Sequence, residues 1–281
     1  MDEFELFVQE HADSLRLGAF AGLLALFSVA EALAPRRPRS VARGRRWSVN
    51  LGLAVTGTLV GRLLAPIGAV IAATFASDRG LGALNALEVP PALALVLALV
   101  ALDLSVWTQH YVTHRVPLLW RLHRVHHFDL DLDATSGLRF HPLEIAVSLA
   151  WKSAVVVALG ASPAAVIVFE VVLNGMAIFN HANLRLPGPI DRAVRVLLVT
   201  PDMHRVHHSV DSAETNANFG FALSLWDRIF RTYRAQPVEG HDGMTLGLRE
   251  VRDPARAEGL GWLLSSPGRR DPWLGTERAD L

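Results

Sequence analysis

Five long apolar runs alternate with charged segments along this chain. Leu17 to Ala34 carries no charge before Glu31, and Val49 to Ala76 is interrupted by Arg62 alone. A third run opens at Pro90 or Pro91 and passes Val106 toward His110. Leu143 to Ala158 and Ala164 to Phe179 complete the set, separated by Gly160-Ala161-Ser162-Pro163. At about 1.5 Å per residue, each run covers most of a hydrocarbon core about 30 Å thick. The pattern therefore predicts an all-α, polytopic membrane helix bundle with five crossings. Gly57, Gly61 and Gly68 predict close helix approach within the second run.

Polar segments set the expected orientation. Residues 1–16 are acidic, with Asp2, Glu3, Glu5, Glu10 and Asp13, whereas Arg36, Arg37, Arg39, Arg43, Arg45 and Arg46 follow the first run. Ala32-Leu33-Ala34 imitates a signal-peptidase site, but basic residues after the run and acids before it reverse the secretory pattern, so an uncleaved helix is expected. The positive-inside rule puts the arginine loop in the cytoplasm, the N-terminus and the 77–89 loop outside, and Trp47 at an interface. The Leu143–Phe179 hairpin starts just after His141 and ends before His181, so both return to the side where the third run delivers His110. From Leu184 onward the chain is mixed and charged, with Pro237, Gly240, Gly243, Pro254 and Pro267 dividing it. A cytoplasmic helical cap is expected there, beneath the membrane helices.

Composition narrows the chemistry. The 281 residues are 51% hydrophobic and 19% charged, which favours a membrane class, and 27 basic against 27 acidic residues give no support to nucleic-acid binding. The chain has no cysteine, excluding disulfides, chain-ligated iron–sulfur clusters and thiolate zinc sites. Histidine is the exception to this plainness: ten of twelve fall between His110 and His208. They read His110-x3-His114, His123-x2-His126-His127 and His204-x2-His207-His208, spacings that put each group on one helical face. Pro117 suits a first helical position, and Thr200-Pro201-Asp202 suits an N-cap and first turn, which would place both H-x2-H-H motifs in the opening turns of short helices.

Eight boxed imidazoles, or ten with His141 and His181, exceed the need of one four-coordinate ion, so two neighbouring metals are expected. Imidazole suits iron, zinc and copper alike. The H-E-x-x-H zinc-protease pattern is absent, since Tyr111 and Val112 follow His110, and no G-x-G-x-x-G fingerprint or haem-domain signature occurs. Asp103, seven before His110, and Glu170 and Asn174, eleven and seven before His181, share a helical face with those histidines and are candidate partners for their rings. An ordinary interhelical hydrogen bond is the competing reading of these residues. Lys152 would need a tilted helix or a cavity to reach water, His11 and His241 read as surface residues, and Trp107, Trp120 and Trp151 as anchors or packing groups.

The boxes, with Arg139-Phe-His141-Pro142-Leu143-Glu144, Asn180-His181-Ala-Asn183-Leu184, Asn218-Phe-Gly220 and Leu225-Trp226-Asp227-Arg228-Ile-Phe230-Arg231-Thr232-Tyr233, resemble the fatty acid hydroxylase/sterol desaturase superfamily of membrane-bound di-iron oxygenases. Arg231 stands where that family usually has glycine. The apolar runs predict an N-terminal membrane region with two membrane helices over 1–94, the resemblance implies a catalytic domain over 95–249, and a cytoplasmic tail is expected over 250–281. It implies His110, His114, His123, His126, His127, His181, His204, His207 and His208 as metal ligands, with His141 as ligand or partner. It also implies two iron ions, O2 as co-substrate, a lipid substrate that is hydroxylated or desaturated, and a separate electron donor of cytochrome b5, ferredoxin or reductase type. The expected location is a bacterial inner membrane or its equivalent, with the site facing the cytoplasm. A dizinc lipid hydrolase and a non-enzymatic metal- or haem-binding membrane protein are the alternatives.

Overall fold

The computed structural model describes residues 3–269, and among them the regular structure is helical, joined by turns and irregular segments with three isolated bridges. Residues 270–281 of the predicted tail lie outside the described residues. Two N-terminal helices, α1 (Glu3–Glu10) and α2 (Ala12–Leu33), lead into α3 (Arg43–Leu63), α4 (Ala69–Asp78) and the single turn α5 (Ala83–Ala86). Next come α6 (Pro91–Arg115) and α7 (Pro117–His127), followed by α8 (Pro142–Leu159) and α9 (Pro163–His181). Short pieces build the cap: α10 (Gly188–Val194), α11 (Pro201–His207), α12 (Ser212–Thr215), α13 (Leu225–Ile229), α14 (Gly240–Gly243), α15 (Pro254–Ala257) and α16 (Leu260–Ser265).

Four helices, α2, α6, α8 and α9, are long and apolar enough to cross a membrane, rather than the five expected. The second apolar run fails as a single span because Pro66 lacks an amide hydrogen and disfavours helix at the residue before it. A 3-10 turn, Ala65–Ile67, forms instead, and Gly68 is extended at the start of α4. The broken pair still runs from one end of the bundle to the other beside α8. A side chain at Gly57 would meet Ile145, Ser153 Oγ donates to the Ile67 carbonyl at 2.8 Å, and Gly82 lies against Gly160. At that last contact both glycines have positive φ, 94° and 71°, and a Cβ on Gly82 would fall 2.1 Å from the Gly160 nitrogen. Neither position can accept a side chain without moving the backbone.

Helix α2 runs parallel to α9, with Arg16 on Glu170 at 2.7 Å, Phe27 against Phe179, and the Glu31 carboxylate accepting from the amides of Ala134 and Asn183. Small residues Ala69, Ala73, Ala98, Ala161 and Ala165 pack with Leu102, Val156, Val166 and Phe169 where α4, α6, α8 and α9 meet. The bundle thus has two ends: the α8–α9 turn with the 80–85 loop, and the end carrying the histidines. A second apolar cluster, Val49, Leu53, Val125, Phe128, Leu248, Val251, Ala257 and Leu263, fastens the described part of the tail under α3 and α7.

The arginine loop is partly structural. Arg36 pairs with Asp202 and Asp242, Arg39 and Arg43 with Glu31, and fully buried Arg46 with Asp129 and Asp133. Five of the six arginines counted for orientation are therefore also structural: Arg36 and Arg37, which donates to the His241 and Met244 carbonyls, tie the α2–α3 connection to the cap, while Arg39, Arg43 and Arg46 tie α3 and its approach to α2 and to the 129–133 segment.

Candidate metal centre

Helices α6, α7, α9 and α11 all end at one place, and their histidines sit in or next to the closing turns. Pro117 does start α7 and the Thr200 side chain does cap α11, accepting from the Met203 amide. The second box nevertheless falls in the last turn of α7 instead of the opening turn, because that helix runs on to His127. The consequence is electrostatic: the unpaired carbonyls and negative dipole ends at helix C-termini favour a cation.

Nine imidazoles meet there in two sets. His110, His114, His123, His127 and His207 form one; His126, His181, His204 and His208 form the other. Within each set the candidate ligand atoms lie within 4.8 Å of one another, and every residue is buried. Several Nε2 atoms face each other directly: His110 to His123, His126 to His181 and His204 to His181 are each 3.0 Å apart. Nitrogens bound to one ion at about 2.1 Å are about 3.0–3.4 Å apart, so these separations suit shared coordination.

Outer contacts fix which nitrogen faces inward. The Nδ1–H groups donate to backbone carbonyls in four cases: His110 to Phe219 at 2.8 Å, His126 to Arg139 at 3.3 Å, His181 to Ala177 at 2.6 Å and His207 to Ala217 at 2.8 Å. His123 donates to the Glu144 carboxylate at 2.6 Å. With Nδ1 occupied, the lone pair is on Nε2, the tautomer that binds a metal. His207 Nε2 and both nitrogens of His127 are buried without a hydrogen-bond partner, a costly state that a cation would relieve at His207 Nε2 and at one nitrogen of His127. Burial, reinforced by neighbouring imidazoles, holds His126, His127, His204 and His208 well below the ordinary histidine pKa and pushes His207 down to about 3. These rings stay neutral near pH 7, as metal binding requires. The donor set fits metal ions.

Other predicted residues sit elsewhere. His141 caps α8, accepting from the Leu143 amide through Nδ1 while Nε2 donates to the Leu264 carbonyl, and it belongs to neither set. Asp103 bonds no histidine; it accepts from the Leu223 amide and the Trp226 indole. Glu170 is tied to Arg16 and Lys152, which is how Lys152 is accommodated, and Asn174 is exposed. His11 is exposed as expected, but His241 is buried, 3.7 Å from Asp202, and burial pushes its pKa down to about 4.

Two features were missed in the sequence. Glu144, on the first turn of α8, holds His123. Buried Asp227 accepts from the amides of Phe219 and Gly220, the Trp107 indole and the Thr232 hydroxyl, and so aims the Phe219 carbonyl at His110. Glu144 and Asp227 both lie in the accessory patterns quoted above, but spacing alone gave them no role, because each acts on a histidine from a distant segment. Arg231, the departure from the family glycine, has φ 60°, a left-handed conformation costing an L-residue about 1–2 kcal/mol.

Residues 95–232 match the family model described as fatty acid hydroxylase. The chain is 30% identical over 149 residues to an ornithine lipid hydroxylase of Rhizobium tropici, covering 53% of this chain and 44% of that protein. It is 28% identical over 148 residues to human alkylglycerol monooxygenase (53% and 32% covered) and 27% identical over 145 residues to human cholesterol 25-hydroxylase (51% and 52%). The chain thus spans about half or less of the length of these relatives, and no solved structure matches it.

Proposed function

The chain belongs to the fatty acid hydroxylase family, and from that premise we propose that it is an integral membrane di-iron oxygenase that hydroxylates a lipid. One observation carries the reading: nine buried imidazoles in two sets, five of them turned by outward Nδ1–H bonds so that Nε2 points inward. His110, His114, His123, His127 and His207 would hold one iron, and His126, His181, His204 and His208 the other. Iron held there would supply the reduction of O2 and the oxidation of an unactivated C–H bond. In net terms the lipid C–H becomes C–OH with one oxygen atom, the other leaves as water, and two electrons and two protons are consumed.

The chain's own residues hold and orient. The Glu144 carboxylate and the carbonyls of Phe219, Arg139, Ala177 and Ala217 fix the rings, Asp227 fixes the Phe219 carbonyl, and burial excludes water. Electrons would come from a separate donor protein of cytochrome b5, ferredoxin or reductase type. The site would face the cytoplasm of a bacterial inner membrane or its equivalent. Similarity to three kinds of lipid hydroxylase or monooxygenase supports hydroxylation over desaturation.

A comparison of total lipids from cells expressing the active gene or its His207→Ala variant tests this. A lipid class heavier by one oxygen atom, present only with the active gene and only in air, is expected. Identical lipid profiles in the two strains would refute it.

A further inference from the structure

The cap presents an apolar face that the metal centre does not use. Ile190, Val196, Leu197, Leu225, Ile229 and Phe230 are between 42% and 70% exposed. Arg192, Arg228 and Arg231 are exposed among them. The two acids in these segments do not offset that charge at the surface: Asp191 pairs with Arg195 and Asp227 is buried. The segments form one surface. The Ser224 amide donates to the Leu197 carbonyl at 3.0 Å, Leu198 bridges to Leu223, and Arg228 donates to the Arg195 carbonyl at 3.0 Å.

Its depth can be read against α6. The Phe230 ring stacks on Trp107 at 4.5 Å, and Asp103 accepts from the Leu223 amide at 3.1 Å and the Trp226 indole at 2.8 Å. Helix α6 starts at Pro91, just past the loop that holds Gly82 against Gly160 at the far end of the bundle. Asp103 and Trp107 then lie about 18 and 24 Å along its axis, inside a hydrocarbon core about 30 Å thick. Helix α13 therefore runs beside the membrane-embedded part of α6, where a water-soluble partner cannot reach. Leu93, Val96, Leu97 and Val100 continue the exposed apolar surface along α6. Arg231 adds a second sign: its backbone is held left-handed while its side chain is exposed, a strained arrangement that presents a cation at this edge.

We propose that residues 188–197 and 225–231 form an in-plane membrane-docking face of the cap. Its six apolar side chains enter the leaflet on the histidine side, and Arg192, Arg228 and Arg231 engage phosphate groups of anionic lipids there. The region after Leu184 is thus only partly aqueous. Long arginine stems let the charged heads reach the headgroup layer while the apolar neighbours stay below it.

The absence of cysteine makes a single label site-specific. Full-length protein carrying Ile229→Cys, or Val238→Cys at a cap position 81% exposed, is labelled with an environment-sensitive fluorophore and placed in lipid nanodiscs. The label at position 229 should be quenched by nitroxide on lipid acyl chains and shielded from aqueous iodide, with the reverse at 238. Equal iodide access at both positions, as a surface for a soluble protein would give, overturns the proposal. In discs of phosphatidylcholine with phosphatidylglycerol, emission at 229 should shift to the blue relative to phosphatidylcholine alone, and R192Q/R231Q should abolish that shift with metal content unchanged. R231G, which relaxes the backbone as it removes the charge, should reduce the shift. An undiminished shift in both variants overturns the role of the arginines.

Discussion

Replacing Glu144 by glutamine should weaken one metal ion and spare the other. The His123 Nδ1–H bond to Glu144 is 2.6 Å long, with His123 buried and Glu144 nearly so, at 2% and 13% side-chain exposure. A hydrogen bond to a charged group is worth about 1.5–3 kcal/mol and a neutral one about 0.5–1.5, so the loss is about 1–1.5 kcal/mol. That corresponds to about tenfold in affinity. Glutamine keeps an acceptor, so His123 stays oriented; Glu144→Ala removes it and should cost up to about a hundredfold. The set containing His126, His181, His204 and His208 draws its orientation from the Arg139 and Ala177 carbonyls, which do not involve Glu144. Chelator competition on purified protein should therefore become biphasic, with one ion released about tenfold more readily and the other as in the parent. Equal weakening of both ions, or no change in either variant, would refute the assignment of His123 and Glu144 to one centre.

Acid should destabilise the metal-free protein. His207 is pushed down to about 3 in the fold, against about 6.5 in an unfolded chain, so the unfolded state takes up its proton first. Stability is fully present above about pH 6.5 and falls toward pH 3, by up to about 1.4 kcal/mol per pH unit for each such ring, with His126, His127, His204 and His208 adding in the same direction. A melting temperature of chelated protein that is flat between pH 7 and pH 5 contradicts this. Asp129→Ala should cost about 3–5 kcal/mol, because it strips a buried arginine of a two-point ion pair, Arg46 Nε at 2.9 Å and Nη2 at 2.8 Å; thermal unfolding of the detergent-solubilised protein measures it, and an unchanged midpoint would mean that Asp133 alone suffices. Reporter fusions after Ser77 and after Arg234 should lie on opposite sides of the membrane, and finding both on one side would rule out the arrangement of ends described above.

The histidine boxes were legible because ligand spacing on a helix is local: i, i+3 and i, i+4 positions share a face whatever surrounds them. The apolar runs were legible for the same kind of reason, except where Pro66 ended one early. Periodicity gives a face but not a height. Glu170 and His181 share a side of α9, yet eleven residues separate them by about 16 Å along the axis, too far for a hydrogen bond to the ring. Asp103 is about 10 Å from His110 by the same arithmetic and serves the cap through Trp226 instead. Contacts between distant segments left no local trace. His241 is buried because Arg36 and Arg37 bring the α2–α3 connection down onto Asp202, Asp242 and the His241 carbonyl, and Arg46 reaches Asp129 across 83 residues.

The source of the oxygen atom in the product tests the central claim most directly. Membranes containing the protein, supplied with an electron-donor system, NAD(P)H and isotopically heavy O2, should yield a hydroxylated lipid carrying heavy oxygen from the gas, and heavy water should leave that position unlabelled. Turnover without O2 or reductant, with the label taken from water and zinc in the site, would contradict the account and identify a hydrolase.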